Sequence, residues 1–326
     1  MRRREFITRL GAAAVASPLA AYCAHAQGRV WRIGYLSSRY GPSDLSESFL
    51  QELRVLGYVE GKNLVVEHRD AAGKNERLAE LAANLVLENV DLIATEGTPA
   101  TKAAMQATNV IPIVFGSAQD PVEKGMVASL ARPGGNVTGM ALIANYAKPL
   151  EVLKEAVPVT SHVAFLYDPA TRPGNYGEDS LRTLQKEAGT LGITLKPLPL
   201  RDPDETDQVF STLAADTNGL LVENSAINLM AQQRICQLAT QRRLPAIGTF
   251  HEFATAGCLI SYGENLPDIY RRAASYADKI LRGAKPSELP VLQATIFDLV
   301  INLKNARALG LQFPASLLTR AAEIIE

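Results

Sequence analysis

Short runs of β-branched and other apolar residues alternate along this chain with segments of helical period. The first run is Trp31-Arg32-Ile33-Gly34-Tyr35-Leu36. Ser43 can cap a helix after it, Leu45, Phe49, Leu53 and Leu56 share one face, and Gly57 ends it. Further strands are predicted at Leu64–His68, Leu92–Thr95, Ile113–Gly116, Val137–Leu142, Val163–Tyr167, Ile193–Leu198, Leu220–Glu223, Ala246–Thr249, Leu259–Tyr262 and Leu299–Leu303. Helical patterns fill nearly every interval, so the expected class is α/β, built from right-handed βαβ units on mostly parallel sheets. So many strands exceed what one compact sheet usually carries, and two sheets of about five or six strands fit better. An internal echo agrees: Asp91-Leu92-Ile93-Ala94-Thr95-Glu96-Gly97-Thr98-Pro99 and Gly219-Leu220-Leu221-Val222-Glu223-Asn224-Ser225 each read strand, polar loop, helix start.

Residues 1–26 read as a cleaved signal peptide. Arg2-Arg3-Arg4 precede an apolar stretch from Leu10 to Ala16, and Ala24-His25-Ala26 supplies a small-x-small cleavage site. Arg3-Arg4-Glu5-Phe6-Ile7 resembles a twin-arginine export signal, with an ordinary Sec leader as the alternative. Cys23 would suit a lipoprotein, but Tyr22 stands where that signal needs a small residue. The expected location is therefore the periplasm. The whole sequence has a formal net charge of −1, and loss of the leader's four Arg and one Glu leaves −4. That balance argues against nucleic acid, which calls for a basic face. Beyond the leader only Cys236 and Cys258 remain. Two cysteines are no disulfide framework, and they are expected as buried, unpaired thiols.

Ligands of open parallel sheets bind beyond the carboxyl ends of the strands. The loops there are rich in small polar residues: Ser37-Ser38, Glu96-Gly97-Thr98, Ser117 to Asp120, Asp168 to Tyr176, Glu223-Asn224-Ser225, and Thr249-Phe250. Hydroxyls and helix N-terminal N–H groups suit a carboxylate. An acidic residue such as Glu96, Asp120 or Glu223 suits an ammonium, and Tyr40, Tyr146, Tyr176 and Phe250 could wall an apolar side chain. The expected ligand set is Ser37, Ser38, Glu96, Gly97, Thr98, Ser117, Gln119 and Asp120 from one lobe. The other lobe contributes Asp168, Tyr176, Glu223, Asn224, Ser225 and Phe250. Capping alone would also account for Thr98 before Pro99, and for Asp120 before Pro121. No nucleophile elbow, phosphate loop or dinucleotide fingerprint occurs. His251-Glu252 begins like a zinc-protease motif, but Thr255 stands where a second His is required. No catalytic residue, cofactor or metal is expected.

Several long strings carry a resemblance. They include Gly57-Tyr58-Val59-Glu60-Gly61-Lys62-Asn63, Ile111-Pro112-Ile113-Val114-Phe115, Ser129-Leu130-Ala131-Arg132-Pro133-Gly134-Gly135-Asn136-Val137-Thr138-Gly139 and Ile280-Leu281-Arg282-Gly283-Ala284-Lys285-Pro286. Through them the chain resembles the ABC-transporter substrate-binding family that includes tryptophan- and tyrosine-type binding proteins. It departs from the family's pattern at Ile143-Ala144-Asn145-Tyr146-Ala147-Lys148-Pro149-Leu150. The resemblance implies the type I periplasmic-binding-protein fold, two Rossmann-like lobes joined by a multi-strand hinge. It places 28–143 with 264–290 in one lobe, and 144–263 with 291–326 in the other. It implies a monomeric, non-enzymatic importer component that captures a small carboxylate-bearing solute and docks on permease and ATPase subunits. The solute would be an aromatic or branched-chain amino acid, or a related aromatic acid. A ligand sensor for a chemoreceptor or sensor kinase fits the same sequence, and an exported α/β enzyme is the remaining alternative.

Overall fold

The computed structural model describes residues 29–39, 41–142, 146–171 and 174–326, with the side chains of 171–179 left aside. The expected signal peptide, Tyr40, residues 143–145 of the divergent stretch and the Tyr176 side chain lie outside that description. The chain begins with β1 (Trp31–Ser37), α1 (Asp44–Val55), β2 (Leu64–Asp70), α2 (Leu78–Leu87), β3 (Leu92–Glu96), α3 (Thr98–Ala107), β4 (Ile113–Gln119) and β5 (Val137–Leu142). It continues with α4 (Ala147–Ala156), β6 (His162–Tyr167), α5 (Gly174–Thr190), β7 (Thr194–Pro199), α6 (Thr206–Ser211), β8 (Gly219–Val222), α7 (Ala226–Met230), α8 (Gln232–Gln241), β9 (Ala246–Gly248), α9 (His251–Thr255) and β10 (Ile260–Glu264). Last come α10 (Leu266–Leu281), β11 (Leu292–Gln293), β12 (Phe297–Asn302), α11 (Leu303–Leu309), α12 (Ala315–Arg320) and β13 (Glu323–Ile325).

These strands form two sheets, hence two lobes. The first runs β11-β5-β4-β3-β1-β2 and is parallel throughout; the second runs β13-β12-β10-β9-β8-β6-β7 and is parallel except for the β10–β12 pair. Alternation of short apolar strands with amphipathic helices produces this arrangement, because each sheet must be covered on both faces. The central strands β3, β4 and β5 are buried along their whole length, while edge strand β7 is only partly buried and carries Pro197 and Pro199. Proline cannot donate to a ladder and is tolerated at such an edge. In each sheet the third strand in sequence lies on the far side of the first, so β3 and β8 hold equivalent places. Their sequence echo has a structural counterpart.

The chain passes between sheets three times: after β5, between β10 and α10, and between β11 and β12. Leu292–Gln293 still pairs with β5 of the first sheet, past residue 290, where the first lobe was expected to end. β11 and β13, both short, were absent from the sequence expectation. Cys236 and Cys258 are not free thiols: they form a disulfide that ties α8 to the turn before β10. Spacing on the chain gave no sign that α8 and that turn pack together. Among the described residues, no helix is long and apolar enough to cross a membrane.

Candidate functional site

The strand order reverses between β1 and β3 in one sheet and between β6 and β8 in the other. A crevice opens beyond the carboxyl ends of the strands at such a switch point. Here the two crevices face one another, and the space between them is a cavity of about 670 Å³, part of it open to solvent. The first lobe lines it with Ser38 and Arg39 after β1, Asn75 after β2, Glu96 at the end of β3 and Gly97 to Pro99 after it, and Ser117 and Gln119 of β4. The second lobe lines it with Asp168, Asn224, Ser225, Ala226, Leu229 and Phe250. Leu45, Leu142 and Leu266 complete the apolar wall.

Local structure holds each of these groups in place. Ser37 is buried and faces away from the cavity; its Oγ accepts the Arg39 N–H at 3.0 Å and bends the chain after β1. Ser43 caps α1 by accepting the Ser46 N–H, and its hydroxyl also donates to Glu96 Oε2 at 3.1 Å. Tyr35 donates to the same oxygen at 3.1 Å. Glu96 is only 4% exposed. Burial pushes its carboxyl above the usual value, against the pull of Arg39 and the hydrogen bonds from Tyr35 and Ser43. Burial likewise raises Asp168, whose Oδ1 accepts the Ala170 N–H at 2.8 Å.

The capping readings of Thr98 and Asp120 need correction. Gly97, at φ 88°, is the residue before α3, and Thr98 is already helical with Pro99 behind it. Thr98 Oγ1 instead accepts the Gln119 N–H at 3.1 Å, locking the end of β4 to the loop after β3. Asp120 sits at φ 46° and opens a run of turns rather than a helix. It does not line the cavity, and neither does Glu223, which is fully buried behind it. Glu223 accepts the Asp168 N–H at 2.8 Å and the Tyr146 hydroxyl at 3.4 Å, so it shapes the second-lobe loops from behind. Of the expected set, Ser38, Glu96, Gly97, Thr98, Ser117, Gln119, Asp168, Asn224, Ser225 and Phe250 converge on the cavity.

Arg39 and Asn75 were missed, because each is a single polar residue in a loop with no motif around it. Arg39 Nη1 lies 3.5 Å from Glu96 Oε1 in its own lobe and 3.8 Å from Glu252 Oε1 of the other. Four cavity-lining residues present buried polar atoms with no hydrogen-bond partner: Ser38 Oγ, Arg39 Nη1, Asn75 Oδ1 and Glu96 Oε1. All four belong to the first lobe. Polar atoms on the opposing face are engaged: Ser225 Oγ accepts the Asn228 N–H, and Asn224 Oδ1 accepts the Tyr146 hydroxyl at 2.7 Å. Gln119 Nε2 donates to that same Asn224 oxygen, a hydrogen bond from lobe to lobe. Met230 of the second lobe packs against Gly73 of the first, so the cleft is closed. Among the described residues, no group of three or more His, Cys, Asp or Glu side chains is placed to hold a metal ion.

The sequence profile described as ABC transporter substrate binding protein matches residues 43–325. A protein described as tyrosine-binding, from Clostridioides difficile strain R20291, is 26% identical over 270 residues, covering 82% of this chain and 76% of its own length. A conserved domain protein from Vibrio cholerae superposes with a TM-score of 0.85 at 27% identity, over 91% of this chain and all of its own. The fold is also that of an ABC domain from Streptococcus pneumonia in complex with L-Trp. That match has a TM-score of 0.84 at 22% identity and covers 91% of this chain and all of the other. Other solved ABC transporter solute-binding proteins share the two-lobe fold at lower scores, such as 0.52 for a Rhodobacter sphaeroides ABC sugar transporter subunit, at 14% identity over 83% of this chain and 98% of its own.

Proposed function

The chain belongs to the ABC transporter substrate-binding protein family, and we propose that it is the periplasmic capture subunit of an importer. Its solute is a small amphipathic molecule with a carboxylate, foremost an aromatic or branched-chain amino acid. The observation that carries this reading is the set of four buried polar atoms without a hydrogen-bond partner on one face of the cleft, two of which share only a loose ion pair. Each buried donor or acceptor left unpaired costs about 1–3 kcal/mol. A polar solute head placed against the first lobe satisfies them, and the leucines and Phe250 take its apolar body. The tyrosine-binding relative and the neighbour solved with L-Trp support an amino acid of this kind.

The order of events follows from where the unpaired groups lie. The open form takes the solute on the first lobe, through Ser38, Glu96, Gly97, Thr98, Ser117 and Gln119. Asp168, Asn224, Ser225 and Phe250 then close over it, and contacts from both lobes favour the closed state. The closed monomer docks on the permease, and no bond in the solute is made or broken. The leader at 1–26 is the basis for placing this cycle in the periplasm.

A thermal-shift screen of the purified protein against the twenty amino acids and a set of aromatic acids tests the reading. A true ligand at 100 times its dissociation constant adds about 2.7 kcal/mol of stability, and the shift grows with concentration. If no amino acid or aromatic acid moves the melting temperature, this solute class is wrong.

A further inference from the structure

Arg39 draws attention because its environment is incomplete on both sides of the cleft. Its side chain is about a quarter exposed, at 23%, and its Nη1 is buried without a hydrogen-bond partner. Glu96 Oε1, the nearest charged oxygen, is equally without one, and the 3.5 Å between them is a loose contact rather than a formed hydrogen bond. On the far side Glu252 reaches the same nitrogen only to 3.8 Å, and it belongs to the lobe that must move. Arginine is suited to a carboxylate because its planar fork presents two parallel donors.

We propose that Arg39 is the residue that makes the cleft select a carboxylate, with Glu96 Oε1 beside it as the ammonium acceptor. A zwitterion set against the two replaces one loose ion pair by charge-assisted hydrogen bonds to both residues. Glu252, arriving from α9 as the lobes close, braces the guanidinium from the opposite side. The spacing of Arg39 and Glu96 thus favours solutes whose carboxylate and ammonium sit on one carbon. Ser37 is the positioning residue here, since its hydroxyl fixes the turn that presents Arg39. This assignment rests on the cleft being the solute site.

The test pairs a change in the residue with a change in the solute. Binding of L-tryptophan, L-tyrosine and L-leucine is measured by titration calorimetry beside tryptamine, tyramine and 3-methylbutylamine, which lack only the carboxylate. The wild type is expected to prefer the amino acid of the bound pair at least tenfold. Arg39→Gln should weaken the amino acid by about 10–100-fold and leave the amine unchanged, erasing the preference. Arg39→Lys, which keeps the charge but not the fork, should fall between. If Arg39→Gln weakens acid and amine alike, Arg39 is only structural and the proposal fails. It also fails if the wild type binds the amine as tightly as the acid. A wild type that binds none of the six overturns the solute class itself, a failure visible without any variant.

Discussion

Glu96 shows how a single residue ties folding to binding. Its carboxyl is raised chiefly by burial; Asp70 adds repulsion, while Arg39, Tyr35 and Ser43 oppose the shift, and the ring of Tyr270 lies close enough to feel its charge. A raised acid binds its proton more tightly in the folded chain than in the unfolded one. Its contribution to stability is therefore complete below the unfolded carboxylate value and is lost as pH rises through the folded one. A solute ammonium reverses the preference, because it favours the ionised form. Amino-acid affinity should fall as pH is lowered through the raised value, and binding should release a proton. Calorimetry over a pH series from the ordinary carboxylate value upward, in buffers of different ionisation enthalpy, reads both effects, and Glu96→Gln should abolish both. A wild-type affinity that is flat across the whole series, with no proton released, means that Glu96 does not meet a cation. Glu96 and Ser38 could be found from the sequence because strands end where they stand. Arg39 could not, since its position depends on a hydroxyl two residues back and on a glutamate that α9 delivers from far along the chain.

Helix α10 illustrates what an element contributes beyond its own stability. It leaves the second sheet, returns to the first, and is capped by Asn265, whose side chain accepts the Asp268 N–H. Its buried stripe includes Ile269, Tyr270, Ala273, Ala274 and Ala277. Alanines on that stripe let the helix lie close to β4, so Tyr270 reaches across to pair its hydroxyl with Ser117 at 2.7 Å. The approach requires a glycine: a Cβ on Gly116 would stand 2.3 Å from the Tyr270 ring. That ring is buried and held by Ser117, so it has nowhere to yield. Gly116→Ala should cost about 1–3 kcal/mol, read as a lower urea midpoint at unchanged slope. An unchanged midpoint would mean that α10 does not dock as described. Patterning of apolar residues makes such helices legible and places nearly every long strand within a residue or two. It is silent on β11 and β13, which are too short to show alternation and exist because the lobe beside them offers an unpaired edge. It also misjudged Thr98 and Asp120, where a capping sequence is overruled by tertiary contacts: Thr98 bonds to β4, and Asp120 turns left-handed to leave it.

At the scale of the whole molecule, the three crossings and the cleft make one device. Two sheets whose first five strands follow the same order bring two sets of strand ends face to face, and the crossings and a few contacts across the cleft set their relation. Closure is then a balance between few terms. Gln119 donates to Asn224, Tyr146 donates to the same oxygen, and Tyr146 stands directly after the first crossing. The hydrogen bond that spans the cleft is thus joined to the segment about which the lobes must turn. Two-lobe architecture could be inferred from the strand count, but this link could not, because Gln119 and Asn224 lie 105 residues apart and meet only when both sheets are built. Gln119→Ala removes the link and leaves the other cavity-lining residues in place. A neutral hydrogen bond is worth about 1 kcal/mol net, so the ligand-free closed population should fall by about fivefold relative to the open one. Small-angle scattering without ligand should show a larger radius of gyration for the variant than for the parent. Saturating ligand should return the variant to the compact curve, because contacts from both lobes still favour closure. If the two ligand-free curves coincide, the Gln119–Asn224 contact does not hold the lobes together in solution, and closure is driven by the solute alone.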